Sequence, residues 1–251
     1  MSPIVLETVA VLLATPFVGS FLGVVIDRLP AGRPVLVARS RCDACGARLG
    51  VTDLVPVASW LWQRGRCAHC RAGLSAFYPI IELSALAVAL SAAFLLSGWL
   101  LPVSCALGWT LLTLAVIDWR HFLLPDALTL PLIPAGLAVA WAIDPALLVP
   151  HAVGALAGFA AFAAIAALYR RLRRREGLGL GDAKLLAAAG AWLGWQALPG
   201  LVVVAALGAL AVALARALTG DRVSATTQIA FGGYLALAFW LVWLLGPPIL
   251  A

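Results

Sequence analysis

Eight apolar stretches, at about 3–26, 79–97, 101–117, 127–143, 150–169, 183–198, 200–218 and 229–247, leave this chain little choice of solvent. Each is long enough, or nearly so, to cross a bilayer as a helix. Between them the chain is 64% hydrophobic and 11% charged, where a water-soluble domain carries about a quarter charged residues. The reading is an all-α polytopic membrane protein of about eight transmembrane helices. Pro199-Gly200 is the only divider between two of the stretches, so their boundaries carry the usual error of a few residues. The first stretch lacks a basic lead-in and a small-residue cleavage site, so it reads as a retained helix and not a signal peptide.

The basic residues test the span count independently. Arg28 to Arg71 fall in the first loop, Arg120 in the third, Arg170 to Arg175 and Lys184 around the fifth, and Arg216 with Arg222 in the seventh. With eight spans all 17 Lys and Arg lie on one side, which the positive-inside rule assigns to the cytoplasm. The run Arg170-Arg171-Leu172-Arg173-Arg174-Arg175 then reads as an anchor against anionic headgroups of membrane lipid. No soluble domain accompanies it, so nucleic acid is not an expected partner.

The first loop is the one sizeable polar segment, and the chain divides accordingly into a first helix at 1–27, a cysteine-rich loop at 28–78 and a helical bundle at 79–251. The loop holds Cys42-Asp43-Ala44-Cys45 and Cys67-Ala68-His69-Cys70. Two C-x-x-C pairs so spaced suit one tetrahedral zinc ion. A reducing cytoplasm argues against disulfides, and the loop has too little apolar content to order itself without a metal. His69 reads as a solvated side chain, and Cys105, inside an apolar stretch, as a packing residue.

Acids at the rim of an apolar bundle are expensive to keep and point to function. Asp118 closes the third stretch in Ile117-Asp118-Trp119-Arg120-His121-Phe122-Leu123-Leu124-Pro125-Asp126. Asp182 follows Gly179-Leu180-Gly181 and opens another stretch, in a segment running from Glu176 to Lys184. Asp126, just after Pro125, has an ordinary role available as a cap at a helix start. Asp118 has none as good. Glycines at 179 and 181 let the backbone turn and approach another chain closely. The two acids at matching depth suggest one site for acid hydrolysis of a peptide bond. Neither a Ser-His-Asp order nor H-E-x-x-H is present, and His151 belongs to the opposite face.

Taken together, Gly19-Ser20-Phe21-Leu22, Arg28-Leu29-Pro30, the four cysteines, Tyr78-Pro79 with Glu82, Asp118 through Asp126, and Glu176 to Lys184 resemble the bacterial type IV prepilin peptidases. Gly179-Leu180-Gly181-Asp182 is similar to the G-x-G-D signature of intramembrane aspartyl proteases. The resemblance implies Asp118 and Asp182 as the catalytic pair, with Asp126, Glu176, Gly179, Gly181 and Lys184 supporting them or the substrate. It implies type IV prepilins or type II secretion pseudopilins as substrates, cut at the cytoplasmic face of the bacterial inner membrane. It further implies N-methylation of the new amino terminus from S-adenosylmethionine, with the first loop as its region. Glu82 is one acidic candidate for that step and equally a charge at a helix entry. Gly23, where the family usually has Asn, and Asp27 and Asp43 depart from its pattern.

Overall fold

The computed structural model describes residues 3–36, 41–42, 44–50, 52–173, 179–220 and 228–246. They form helices α1 Pro3–Arg28, α2 Ala58–Trp62, α3 Phe77–Leu95, α4 Leu100–His121, α5 Asp126–Ile143, α6 Leu148–Arg173, α7 Leu180–Leu193, α8 Leu198–Leu218 and α9 Phe231–Leu245. Among the described residues the only β pairing is two isolated bridges in the first loop. Apart from short α2, each helix falls on one of the eight apolar stretches. Six of them, α1, α3, α4, α5, α6 and α8, are long and apolar enough to cross a membrane. The chain is a multi-pass membrane protein.

Helices α7 and α9 are shorter than the sequence suggests, 14 and 15 residues. At 1.5 Å per residue they measure about 21 and 22 Å, less than the ~30 Å hydrocarbon layer. Packing explains how α7 manages this. It is enclosed by α5, α6, α8 and α9, and Asp182, Ala183 and every residue from Leu185 to Trp192 are buried. A helix that meets protein on all sides need not match the lipid.

Chain contacts divide the molecule into two compact units, Met1–Thr113 and Leu114–Ala251, so α4 runs through the division. In the first unit α1 lies along α3. A Cβ on Gly19 would stand 2.7 Å from the Glu82 backbone, and one on Gly23 would stand 2.8 Å from the Tyr78 ring. Small residues are what allow such backbone approach where no hydrophobic effect drives helices together. Trp109 of α4 donates its indole N–H to the Ala85 carbonyl at 3.1 Å.

In the second unit glycines again set the closest crossing. Gly154 of α6 and Gly190 of α7 meet backbone to backbone, and Gly158 faces the Leu186 carbonyl. Trp192 donates to the Leu132 carbonyl of α5 at 2.8 Å and stacks edge-on against Trp243 of α9. His151 is buried, with Nδ1 3.0 Å from the Ala191 carbonyl at the C-terminal end of α7. Asp182 is at the other end of that helix, so His151 and Asp182 belong to opposite ends of the bundle as the sequence implies.

Candidate active site and metal centre

Asp118 lies in the last turn of α4 and is 5% exposed. Its Oδ2 accepts the backbone N–H of Gly233 at 2.8 Å, and the Gly232 N–H also bonds to this carboxylate. These donors belong to the first turn of α9, whose free N–H groups and positive dipole end suit an anion. Asp182 sits in the first turn of α7 and is 8% exposed. Gly179, the extended residue preceding the helix, closes a small ring with it. The Asp182 N–H donates to the Gly179 carbonyl at 3.2 Å, and the Gly179 N–H bonds the Asp182 carboxylate.

Gly232 is where the two acids meet. A Cβ placed on it would stand 2.7 Å from Asp182 Oδ1 and 3.1 Å from Asp118 Oδ2. The two oxygens are therefore separated by no more than those distances combined, close enough for the two carboxyls to share one site. The same Cβ would touch Leu124 at 2.7 Å, and a Cβ on Gly181 would stand 2.9 Å from Leu124. Leu124 is buried and fills the floor between the two glycines.

Leu124 reaches this position because α4 stops abruptly. Phe122 donates its N–H to the Asp118 carbonyl at 2.8 Å and takes a left-handed φ of 53°. A non-glycine residue held there costs about 1–2 kcal/mol. The turn sends Leu123-Leu124-Pro125 back beneath the acids.

Of the five supporting residues expected from sequence, Gly179 bonds to Asp182 and Gly181 packs against Leu124. Asp126 and Lys184 form an ion pair instead, with Nζ 2.6 and 2.8 Å from the two carboxylate oxygens. The pair ties α5 to α7. Asp126 is not the N-cap of α5, contrary to expectation: Pro125 holds that position and makes no side-chain cap, while Asp126 is in the first turn and turned to Lys184. Glu176 lies outside the described residues. Gly232 and Gly233 were missed from sequence. Two adjacent glycines at the start of an apolar helix carry a propensity cost of about 1 kcal/mol each, and that cost was the available signal.

The first loop brings its four cysteines together. Their sulfur atoms all lie within 4.8 Å of one another, with Cys42 and Cys70 at 3.9 Å. Zn–S bonds of about 2.3 Å in a tetrahedron put sulfurs about 3.8 Å apart, so the donor set fits one zinc ion.

The two halves are built alike. Cys42 donates its N–H to the Ala47 carbonyl and Gly46 to that of Cys42; Cys67 and Arg71 repeat both bonds with Ala72 and Cys67. Bridges Arg41–Arg48 and Arg66–Gly73 close the two turns. Gly46 and Arg71 occupy the same left-handed position, φ 69° and 59°. The N–H groups of Cys70 and His69 point at the Cys67 sulfur and hold its pKa down to about 6, which favours the thiolate a metal needs. His69 itself is exposed, and Cys105 is a buried packing residue inside α4.

Glu82 is buried in α3, where its Oε2 accepts the Val57 N–H at 2.6 Å and the Ser20 hydroxyl also bonds to it. It braces α1, α3 and the loop entry to α2. These bonds give Glu82 a structural role at the entry to α3.

Two family models match the chain. Residues 13–96 match the Bacterial Peptidase A24 N-terminal domain, and residues 105–214 match the Type IV leader peptidase family. The "Prepilin leader peptidase/N-methyltransferase" of Aeromonas hydrophila is 36% identical over 95% of this chain and 91% of its own length. A protein of the same name from Dickeya chrysanthemi is 41% identical over 91% of this chain and 89% of its own. That of Burkholderia pseudomallei (strain K96243) is 44% identical over 84% and 68%. No solved structure matches the chain. Identity at this level, over nearly the whole length of both chains, makes this protein a member of the Type IV leader peptidase family.

Proposed function

We propose that Asp118 and Asp182 are the catalytic pair of an aspartyl endopeptidase that removes the leader from type IV prepilins and secretion pseudopilins. The single observation that carries this reading is the meeting of both carboxylates at Gly232. Two carboxyls sharing one site titrate as a unit, one holding a proton while the other is charged. The charged acid takes a proton from the water between them as its oxygen bonds to the scissile carbonyl carbon. The protonated acid gives its proton to the carbonyl oxygen. Collapse of the tetrahedral intermediate breaks the C–N bond, and the departing amine takes back a proton from the pair.

The surroundings serve that chemistry. The N–H groups of Gly232 and Gly233 orient Asp118, Gly179 orients Asp182, and Leu124 keeps bulk water from beneath the pair. The segregation of basic residues supports an active site at the cytoplasmic face of the bacterial inner membrane.

A zinc ion held by Cys42, Cys45, Cys67 and Cys70 would supply order to a loop whose buried apolar content is slight. The relatives' names include N-methyltransferase, which supports extending the reading to N-methylation; the new amino terminus as acceptor and S-adenosylmethionine as donor are what the resemblance implies.

Co-expression with a candidate prepilin, followed by mass spectrometry, tests the whole reading. Loss of the leader mass is expected with the wild type and not with Asp118→Asn or Asp182→Asn, together with the gain of one methyl mass. An intact leader in the presence of wild-type protein would refute it.

A further inference from the structure

A groove of about 470 Å³ opens near Asp118, lined by Trp119 and Phe122 at the end of α4, Val212 and Ala213 of α8, and Tyr234 and Leu237 of α9. It is wholly within the second unit. We propose that this groove holds the apolar segment of the peptide substrate next to the scissile bond, and so sets which chains are cut and at which bond. The inference rests on the peptidase reading above and adds the binding site that the reading lacks.

Continuity with the dyad is the first argument. Trp119 follows Asp118 directly, and its indole lies against Gly233, the residue whose N–H holds Asp118. Phe122, also in the wall, is the strained left-handed residue whose N–H is bonded to the Asp118 carbonyl. On the other side Ile229 and Ala230 line the groove and lead directly into Phe231-Gly232. A side chain seated between Trp119 and Ile229 therefore brings its own backbone to the neighbourhood of Gly232.

The chemistry of the lining is the second argument. Trp119, Phe122, Val212, Ile229 and Leu237 are all large, apolar and partly exposed. A concave wall of this kind takes apolar side chains, and the volume lies within the range of pockets that bury a small ligand or a few residues. Gln228 and Arg216 add polar groups to it. Gln228 offers both a donor and an acceptor to a peptide backbone, which a lipid acyl chain does not need.

The test uses Ala213→Phe, which adds bulk at a partly exposed groove position, and Leu237→Ala, which removes bulk without adding any. Each is assayed in full-length protein on a prepilin carrying its apolar segment and on a peptide cut short after the scissile bond. KM for the first substrate should rise about tenfold in Ala213→Phe with kcat within about threefold, the signature of lost uniform binding. The short peptide should be cut equally by variant and wild type. Direct binding of intact prepilin to the Asp182→Asn protein should weaken by the same factor when Ala213→Phe is added. Unchanged KM and binding in both variants would overturn the proposal, as would loss of a co-purifying phospholipid from Ala213→Phe with KM unaltered. Wild-type protein that binds prepilin in the groove without cutting it would sink the peptidase reading and leave the groove standing.

Discussion

Asp118 is tied to Gly233, 115 residues away in sequence, by a 2.8 Å hydrogen bond from the glycine N–H to its Oδ2. The bond joins the end of α4 to the start of α9, the last apolar helix. It gives the buried acid a donor that costs no side-chain entropy and leaves the neighbouring Gly232 position open to both carboxylates.

Replacing either acid by its amide removes the shared proton without changing shape. Asp118→Asn and Asp182→Asn should each lower the rate of leader cleavage by about a thousandfold or more, within the range of a lost acid–base group. Expression, membrane insertion and melting midpoint should hold. Retained processing by either variant in a cleavage time course would contradict the dyad.

Gly232→Ala adds one methyl group where Leu124 and both carboxylate oxygens already stand within 3.1 Å. Overpacking of this kind costs about 1–3 kcal/mol and separates the acids. Cleavage should fall at least as steeply as it does for a lost acid, with a lowered melting midpoint. Gly200→Ala, where nothing lies within 4 Å of the added Cβ, is the control and should behave as wild type in both assays.

Metal analysis of purified protein should give one zinc per chain. Cys42→Ser with Cys67→Ser should release it, and limited proteolysis should then nick the segment between α1 and α3 faster than in wild type. The loop should depend on a bound metal, because Cys42 and Cys67 are the buried hydrophobic residues among its described positions. A zinc-free wild type with the loop equally protected would end the metal assignment.

Lys184→Met separates a supporting residue from a catalytic one. The Asp126–Lys184 pair is partly exposed, with Asp126 at 56%, so water screens it and its loss should cost under about 1 kcal/mol. Cleavage should drop less than tenfold. A loss as large as that of Asp182→Asn would mean that the pair acts on the reaction and not only on the α5–α7 contact.

Local pattern was enough to locate most of the fold. The apolar stretches marked the helices because lipid permits little else, and the two C-x-x-C pairs marked the four-cysteine cluster because a knuckle is built from adjacent residues. Asp182 was legible for the same reason: Gly179, Gly181 and the start of α7 are its neighbours in the chain. Helices α7 and α9 were read as too long, since composition does not distinguish lipid from a protein interior that is equally apolar.

Asp126 illustrates the other limit. Its position after Pro125 suited a cap, yet a lysine 58 residues away offered a full charge within 2.6 Å and won the carboxylate. No window of sequence contains both partners. Gly232 and Gly233 were invisible as site residues on the same ground: their value lies in having no side chain where Asp118, Asp182, Leu124 and Trp119 converge from distant parts of the chain. Hydropathy and short spacings thus decided which segments are helices, which face carries charge and which residues have chemistry to offer. Only packing of α4, α7 and α9 decided that two of those acids meet at Gly232, because that depends on contacts between segments fifty or more residues apart.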